Sequence, residues 1–262
     1  MVGKKRLAQL IIVTGQGRSG TSAVARVLHE SGISMGRDLL GPAPFDNPLG
    51  FYQERRVVAL NESIAAGCGL YPAQSLAFRV ISKWKRITNS KPRPPRRART
   101  ASRPDVLAAA ARHQQAMQEL ASEVPTPGGW KDPWFCWTLE AWLPCLARKP
   151  RLVICLRSPQ AVAHSAMGIF GVTGSDWQQW QIQSWKSMYE RLLEVIEEFE
   201  LEATCVEYDE LLAGTAETVA RLANFLGHPL DPGNVDSSLR HHASDGVGNL
   251  GELYERVKAL SR

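Results

Sequence analysis

The sequence predicts an α/β fold: a single three-layer domain over residues 1–262 with a mainly parallel central sheet. Three observations carry that expectation. QLIIVT at residues 9–14 and RLVICL at 151–156 are short, continuous apolar runs, the pattern of strands buried on both faces. Each run passes through a turn directly into a helical pattern, so the chain is built of βα units. The turn after the first run, GQGRSGTS at 15–22, nearly spells the P-loop, in which Gly-x4-Gly-Lys-Ser/Thr joins a strand to a helix. Thr21 stands where that motif has its lysine.

The elements follow in order. TSAVARVLHESG from residue 21 places Ala23, Val24, Val27 and Leu28 on one helical side, with Gly32 just past the end. YQERRVVALNESIAAG from residue 52 predicts a second helix with Val57, Val58, Leu60 and Ile64 apolar. PDVLAAAARHQQAMQELASE at 104–123 predicts a third, started by a proline. After the second strand, PQAVAHSAMG reads as a helix, and WQQWQIQSWKSMYERLLEVIEEFE at 177–200 as a long amphipathic one in which Trp177, Trp180 and Trp185 face the core. ATCVEYDEL at 203–211 reads as a strand running into a helical turn, and TAETVARLANFLG at 215–227 as a closing helix with a glycine stop. No internal repeat is present. In such a sheet, ligands bind at the carboxyl ends of the strands, where both turns fall.

Charge is local. The chain carries 31 Lys and Arg against 26 Asp and Glu, a net charge of +5. Residues 79–103 hold ten of the basic residues and no acidic one; without them the net charge is −5. This Pro-rich stretch, with 83–103 as its basic insertion, has the composition of a solvated surface loop; its functional reading is a lid or landing strip for an anionic substrate or surface, without specific nucleic-acid recognition. The apolar run at the N-terminus is too short for a signal peptide or a membrane span, which predicts a cytoplasmic protein. Five widely spaced cysteines without a Cys-x2-Cys pair argue against a disulfide framework or a zinc site.

Gly15, Gly17 and Gly20 let the loop curl its N–H groups inward, and the following helix adds its positive end. Thr21 and Ser22 offer hydroxyls and Arg18 a permanent, forked charge, so the cation has moved within the loop. With its preceding strand, this loop resembles the 5′-phosphosulfate loop of sulfotransferases that use 3′-phosphoadenosine 5′-phosphosulfate (PAPS). LRSPQAVAHS is similar to that family's 3′-phosphate signature, with Arg157, Pro159 and Ser165 at the family's spacing. KDPW at 131–134 with WLP at 142–144, VEYDELL at 206–212 and FLG at 225–227 extend the resemblance over residues 9–245.

The resemblance implies a PAPS donor site made of Gly15, Gln16, Gly17, Arg18, Ser19, Gly20, Thr21, Ser22, Arg157 and Ser165, with the bisphosphate PAP as product and no metal. It implies transfer to a hydroxyl, or an amine, of a small-molecule, carbohydrate or lipid acceptor. Arg18 would stabilise the developing charge. FDNPLGFYQE resembles the segment that supplies the base in many relatives, but Gln53 occupies the glutamate's place and Glu54 follows it. Glu54 is therefore the candidate base, with Asp46, His29 and His164 as alternatives, and loss of activity as another. One of Trp130, Trp134 and Trp137 is placed to stack on adenine. His241 and His242 resemble an Arg-His segment of relatives and receive no role. A P-loop kinase or NTPase is the competing class; the missing lysine, the second phosphate signature and the lack of an evident acidic strand end for magnesium weigh against it.

Overall fold

The computed structural model describes residues 9–43, 47–70, 100–236 and 248–261. Among the described residues, four strands form one sheet in the order β2-β1-β3-β4: β1 (Ile11–Thr14), β2 (Gly129–Lys131), β3 (Arg151–Leu156) and β4 (Ala203–Glu207). All three pairings are parallel. Alternation along the strands sorts side chains to two faces. Ile11, Val13, Val153, Cys155 and Val206 pack beneath α1 (Thr21–Glu30) and α9 (Thr215–Leu226). Ile12, Leu152, Ile154, Leu156 and Cys205 face the opposite core, with α2 (Arg55–Gly67), α3 (Arg103–Ala111), α4 (Gln114–Ser122), α5 (Phe135–Trp142) and α7 (Ser175–Glu198). The sheet is thus covered on both sides, as the apolar runs require.

β2 carries no apolar run, and its sequence does not announce a strand. It is buried because it pairs with β1 in the register Val13↔Lys131. The helix expected over 104–123 is two, interrupted at Arg112 and His113, where the N–H of His113 donates to the carbonyl of Ala110 in a tighter turn. Residues 52–54 are not helical. Tyr52 has φ +53°, the N–H of Leu40 donates to the carbonyl of Gln53, and helix α2 begins at Arg55 with Glu54 as its N-cap. The helix after β3 is α6 (Pro159–Phe170), with Ser158 capping it through Ala161 N and Pro159 in its first turn. Helix α8 (Tyr208–Ala213) follows β4. Helix α10 (Gly251–Lys258), not among the expected elements, packs Leu253, Tyr254 and Val257 into the larger core.

Trp177 and Trp180 are buried with Val172, and Trp185 is fully enclosed, as expected. The cysteines are free thiols, and burial pushes Cys136, Cys155 and Cys205 above their ordinary range. Residues 71–99, most of the basic stretch, lie outside the described residues, as do Asp46, His241 and His242. Its end does not belong to a loop: Ser102 caps α3, and Arg103 within that helix pairs with Glu140 and Glu198.

Candidate functional site

The chain leaves β1 toward β2 on one side, while β3 and β4 lie on the other, so the sheet's switch point falls between β1 and β3. Both singled-out turns emerge there. β1 ends at Thr14, opposite Ile154, and β3 ends two residues further on at Leu156, so Arg157 rises beside the loop 15–20.

The loop is held in a conformation few residues tolerate. Gly15 (φ +140°), Arg18 (φ +80°) and Gly20 (φ +85°) all have positive φ. A Cβ on Gly15 would stand 2.3 Å from the carbonyl oxygen of Cys155, and one on Gly20 2.3 Å from the ring of Tyr208. These glycines are thus required by close approach as well as by backbone angle. Arg18 pays the left-handed penalty, the kind of strain that collects at functional turns. Its Nε donates to the hydroxyl of Ser165 at 3.1 Å, joining the loop after β1 to the segment after β3 across 147 residues of chain. Arg157 Nη1 donates to the carbonyl of Arg18 at 3.4 Å, and the Arg157 guanidinium lies 4.6 Å from the centroid of the Tyr208 ring. Burial raises the pKa of the Tyr208 phenol.

These groups line one cleft. Arg18, Gly20, Thr21, Ser22, Ala23 and Arg26 form one wall, the turn Asn47–Gly50 another, and Arg157, Ser165, Tyr208, Asn234 and Asp236 close it. Arg26 Nη1 is a buried donor with no hydrogen-bond partner among the described residues. Tyr208 is the aromatic ring in this lining; Trp130, Trp134 and Trp137 are buried in the larger core, the last two at and within α5, and are not part of it.

A second cation reaches the loop from outside it. Lys131, at the end of β2 and 2 % exposed, donates from Nζ to Ser22 Oγ at 3.0 Å and to Gln53 Oε1 at 3.2 Å. Gln53 Nε2 in turn donates to Asp132, which also accepts from Asn61 Nδ2 and from the N–H of Trp134. Burial raises the pKa of Asp132, against the pull of Asn61, Trp134 N–H and Lys131. So an acid does stand at a strand end here, but its oxygens are taken up by this network. The Lys131 role was legible only as the KDPW string; the contact follows from the β1–β2 register.

Glu54 is a different kind of carboxylate from the one the sequence suggested. It is 2 % exposed, and its oxygens accept from the N–H groups of Arg37 (2.7 Å), Asp38 (3.0 Å) and Arg56 (3.4 Å). It caps α2 and ties down the 36–38 loop, and it is not part of the cleft lining. Of the alternatives, His29 Nδ1 accepts from Met35 N, and His29 packs against Tyr52; His164 is exposed on α6; neither belongs to the lining. Among the described residues no group of three or more His, Cys, Asp or Glu is placed to hold a metal, and no helix is long and apolar enough to cross a membrane.

The fold and site define a class: an α/β protein with a P-loop-like turn and a second arginine-bearing turn meeting at the switch point of a parallel sheet. The chain belongs to the sulfotransferase family, whose model matches residues 10–232. Among solved structures it is similar to the sulfotransferase STF1 of Mycobacterium tuberculosis H37Rv, with 16 % identity, TM-score 0.45, and coverage of 97 % of this chain and 76 % of that one. It is also similar to the sulfotransferase domain of the Synechococcus PCC 7002 olefin synthase, with 12 % identity, TM-score 0.44, and coverage of 98 % and 90 %. No protein of curated function matches the chain.

Proposed function

We propose that the protein moves a sulfuryl group from PAPS to a hydroxyl, or an amine, of a small-molecule, carbohydrate or lipid acceptor. The observation that carries this reading is the Arg18–Ser165 hydrogen bond, which joins the loop after β1 to the segment after β3 at one cleft. A nucleotide with phosphates at both the 5′ and 3′ positions needs two such grips; a nucleoside triphosphate does not. The donor set fits: three arginines (Arg18, Arg26 and Arg157) and four hydroxyls (Thr21, Ser22, Ser165 and Tyr208) line the cleft, and the buried Arg26 Nη1 is a donor without a hydrogen-bond partner among the described residues.

PAPS supplies the activated sulfuryl group. The loop N–H groups, the N-terminus of α1, Thr21 and Ser22 would hold its 5′ end, and Arg157 with Ser165 its 3′-phosphate. Arg18 is placed to stabilise charge on the leaving phosphate, and Lys131, through Ser22, adds a second positive charge to the same end of the loop. Such a transfer depends chiefly on positioning and electrostatics. No proton transfer is assigned to Glu54, whose oxygens are engaged by three backbone N–H groups. That engagement, with Gln53 beside it, favours one second reading: a relative that binds the donor without turning it over.

Thermal-shift titration with PAP, beside ATP and magnesium, on the wild type and Arg157→Ala tests the reading. PAP at ~100 times its dissociation constant stabilises by roughly 2.7 kcal/mol, which at about 2–4 °C per kcal/mol moves Tm by about 5–11 °C, and the shift is lost in the variant. A shift with ATP and magnesium alone overturns the donor assignment in favour of a kinase or NTPase. Binding of PAP without sulfate transfer from PAPS to any of a panel of alcohols and amines marks the second reading.

A further inference from the structure

Helix α7 contributes no atom to the cleft lining, yet it touches both turns that do. Gln181, Trp185 and Tyr189 are spaced four residues apart, so they stand in one row over about 12 Å of helix. At the first position, Gln16 Nε2 donates to the side-chain and backbone oxygens of Gln181 at 3.2 and 3.4 Å. At the second, Trp185 Nε1 donates to the carbonyl of Arg157 at 3.1 Å. At the third, the Tyr189 hydroxyl donates to the carbonyl of Cys155 at 2.6 Å, accepts from the N–H of Gln16 at 3.3 Å and lies 3.3 Å from Ser19 Oγ. The row therefore alternates between the loop after β1 and the end of β3.

The row is built to be stiff. Trp185 and Tyr189 are completely buried and Gln181 is 3 % exposed. Their rings pack at a centroid distance of 4.5 Å, and Trp185 lies nearly parallel to Tyr254 of α10 at 6.3 Å. Burial holds the Tyr189 phenol well above its ordinary pKa, so it remains a donor. Gly15 leaves the space this hydroxyl fills: a Cβ there would lie 3.2 Å from it.

We propose that Gln181, Trp185 and Tyr189 form a strut that sets the separation of the two phosphate grips, with Tyr189 and Trp185 as positioning residues for a ligand that carries two phosphates. The inference rests on the bisphosphate reading of the cleft and adds its selectivity element. A ligand gripped at both ends gains from a preset spacing, whereas a ligand held at one end does not.

The test compares the dissociation constants of PAP, adenosine 5′-monophosphate and adenosine 3′-monophosphate for the wild type, Tyr189→Phe and Trp185→Phe, with the melting temperature of each protein without ligand. Tyr189→Phe keeps the ring and removes the hydroxyl. The expected result is a loss of roughly tenfold in PAP affinity in each variant, with both monophosphates changed by less than about twofold. Equal weakening of all three ligands means that the substitution damages the loop locally and overturns the strut, as does unchanged PAP affinity. Should Tyr189→Phe fail to fold, Trp185→Phe, which loses the donor to Arg157 and part of the ring packed on Tyr189 and Tyr254, decides by the same criterion. A wild type that binds PAP no tighter than either monophosphate removes the bisphosphate reading, and the strut falls with it.

Discussion

At the scale of single residues, Glu54 and Lys131 are placed otherwise than their sequence contexts suggest: Glu54 caps α2, and Lys131 reaches Ser22. The Asn-Pro-x-Gly segment points to an acid near position 53, and Glu54 is the acid beside it. Which carboxylate reaches a cleft is decided by the turn that precedes α2, and here Tyr52 takes a positive φ and sends Glu54 into the backbone of residues 37 and 38. Glu54→Gln replaces one accepting oxygen by a donor facing N–H groups. The expected loss is about 1–3 kcal/mol of stability, seen as a lower Tm, with kcat at a permissive temperature changed only a few-fold. Unchanged Tm together with a fall of 10²-fold or more in kcat restores Glu54 as the base. Lys131→Met is expected to do the reverse, lowering kcat by on the order of 10²–10³ if the charge delivered to Ser22 supports the transfer. Full activity in that variant removes Lys131 from the site.

At the scale of elements, the parts that the sequence showed clearly are those whose pattern is self-contained. β1, β3 and the two turns after them are legible because a both-faces-buried strand needs a continuous apolar run, the first turn's positive-φ positions call for Gly15 and Gly20, and the second opens its helix with Ser158 and Pro159. β2 is not, because Gly-Trp-Lys owes its burial to its partner strand, and α10 is not, because its apolar residues only make sense against β4 and α7. Ion pairs between helices are likewise invisible in advance. Glu140 of α5 is paired with Arg191 of α7 and with Arg103 of α3, and Arg103 also grips Glu198 of α7. Glu140 and Arg191 are both buried. Arg191→Met should therefore cost about 3 kcal/mol, and Arg103→Met, at the exposed end, distinctly less. Arg103 holds the carboxyl of Glu198 below its ordinary 4.5. Since the folded-state pKa is the lower one, this stabilisation is present above pH 4.5 and fades as pH falls through the depressed value. The Tm difference between wild type and Arg103→Met should narrow on that acid side; a gap that widens there contradicts the pairing.

For the molecule as a whole, charge distribution sets the remaining question. On the proposed PAPS reading, a polyanionic donor approaches a chain whose net charge without residues 79–103 is −5, so long-range attraction cannot come from the rest of the protein in sum. Residues 83–99 carry eight basic residues and no acidic one, and deleting them takes the net charge from +5 to −3 while leaving Ser102 and Arg103 in α3. If this stretch steers anions toward the cleft, the deletion lowers the association rate of PAP and flattens its dependence on ionic strength, because the Debye length shrinks from about 30 Å at 0.01 M salt to about 10 Å at 0.1 M. The dissociation rate, which the proposed site assigns to Arg18, Arg157 and the loop, should hold. Stopped-flow measurement of PAP binding across that salt range separates the two. An association rate and salt slope equal to those of the full chain would assign steering to local charges around the cleft, where Arg18, Arg26 and Arg157 stand in a lining that includes the single carboxylate Asp236 among the described residues.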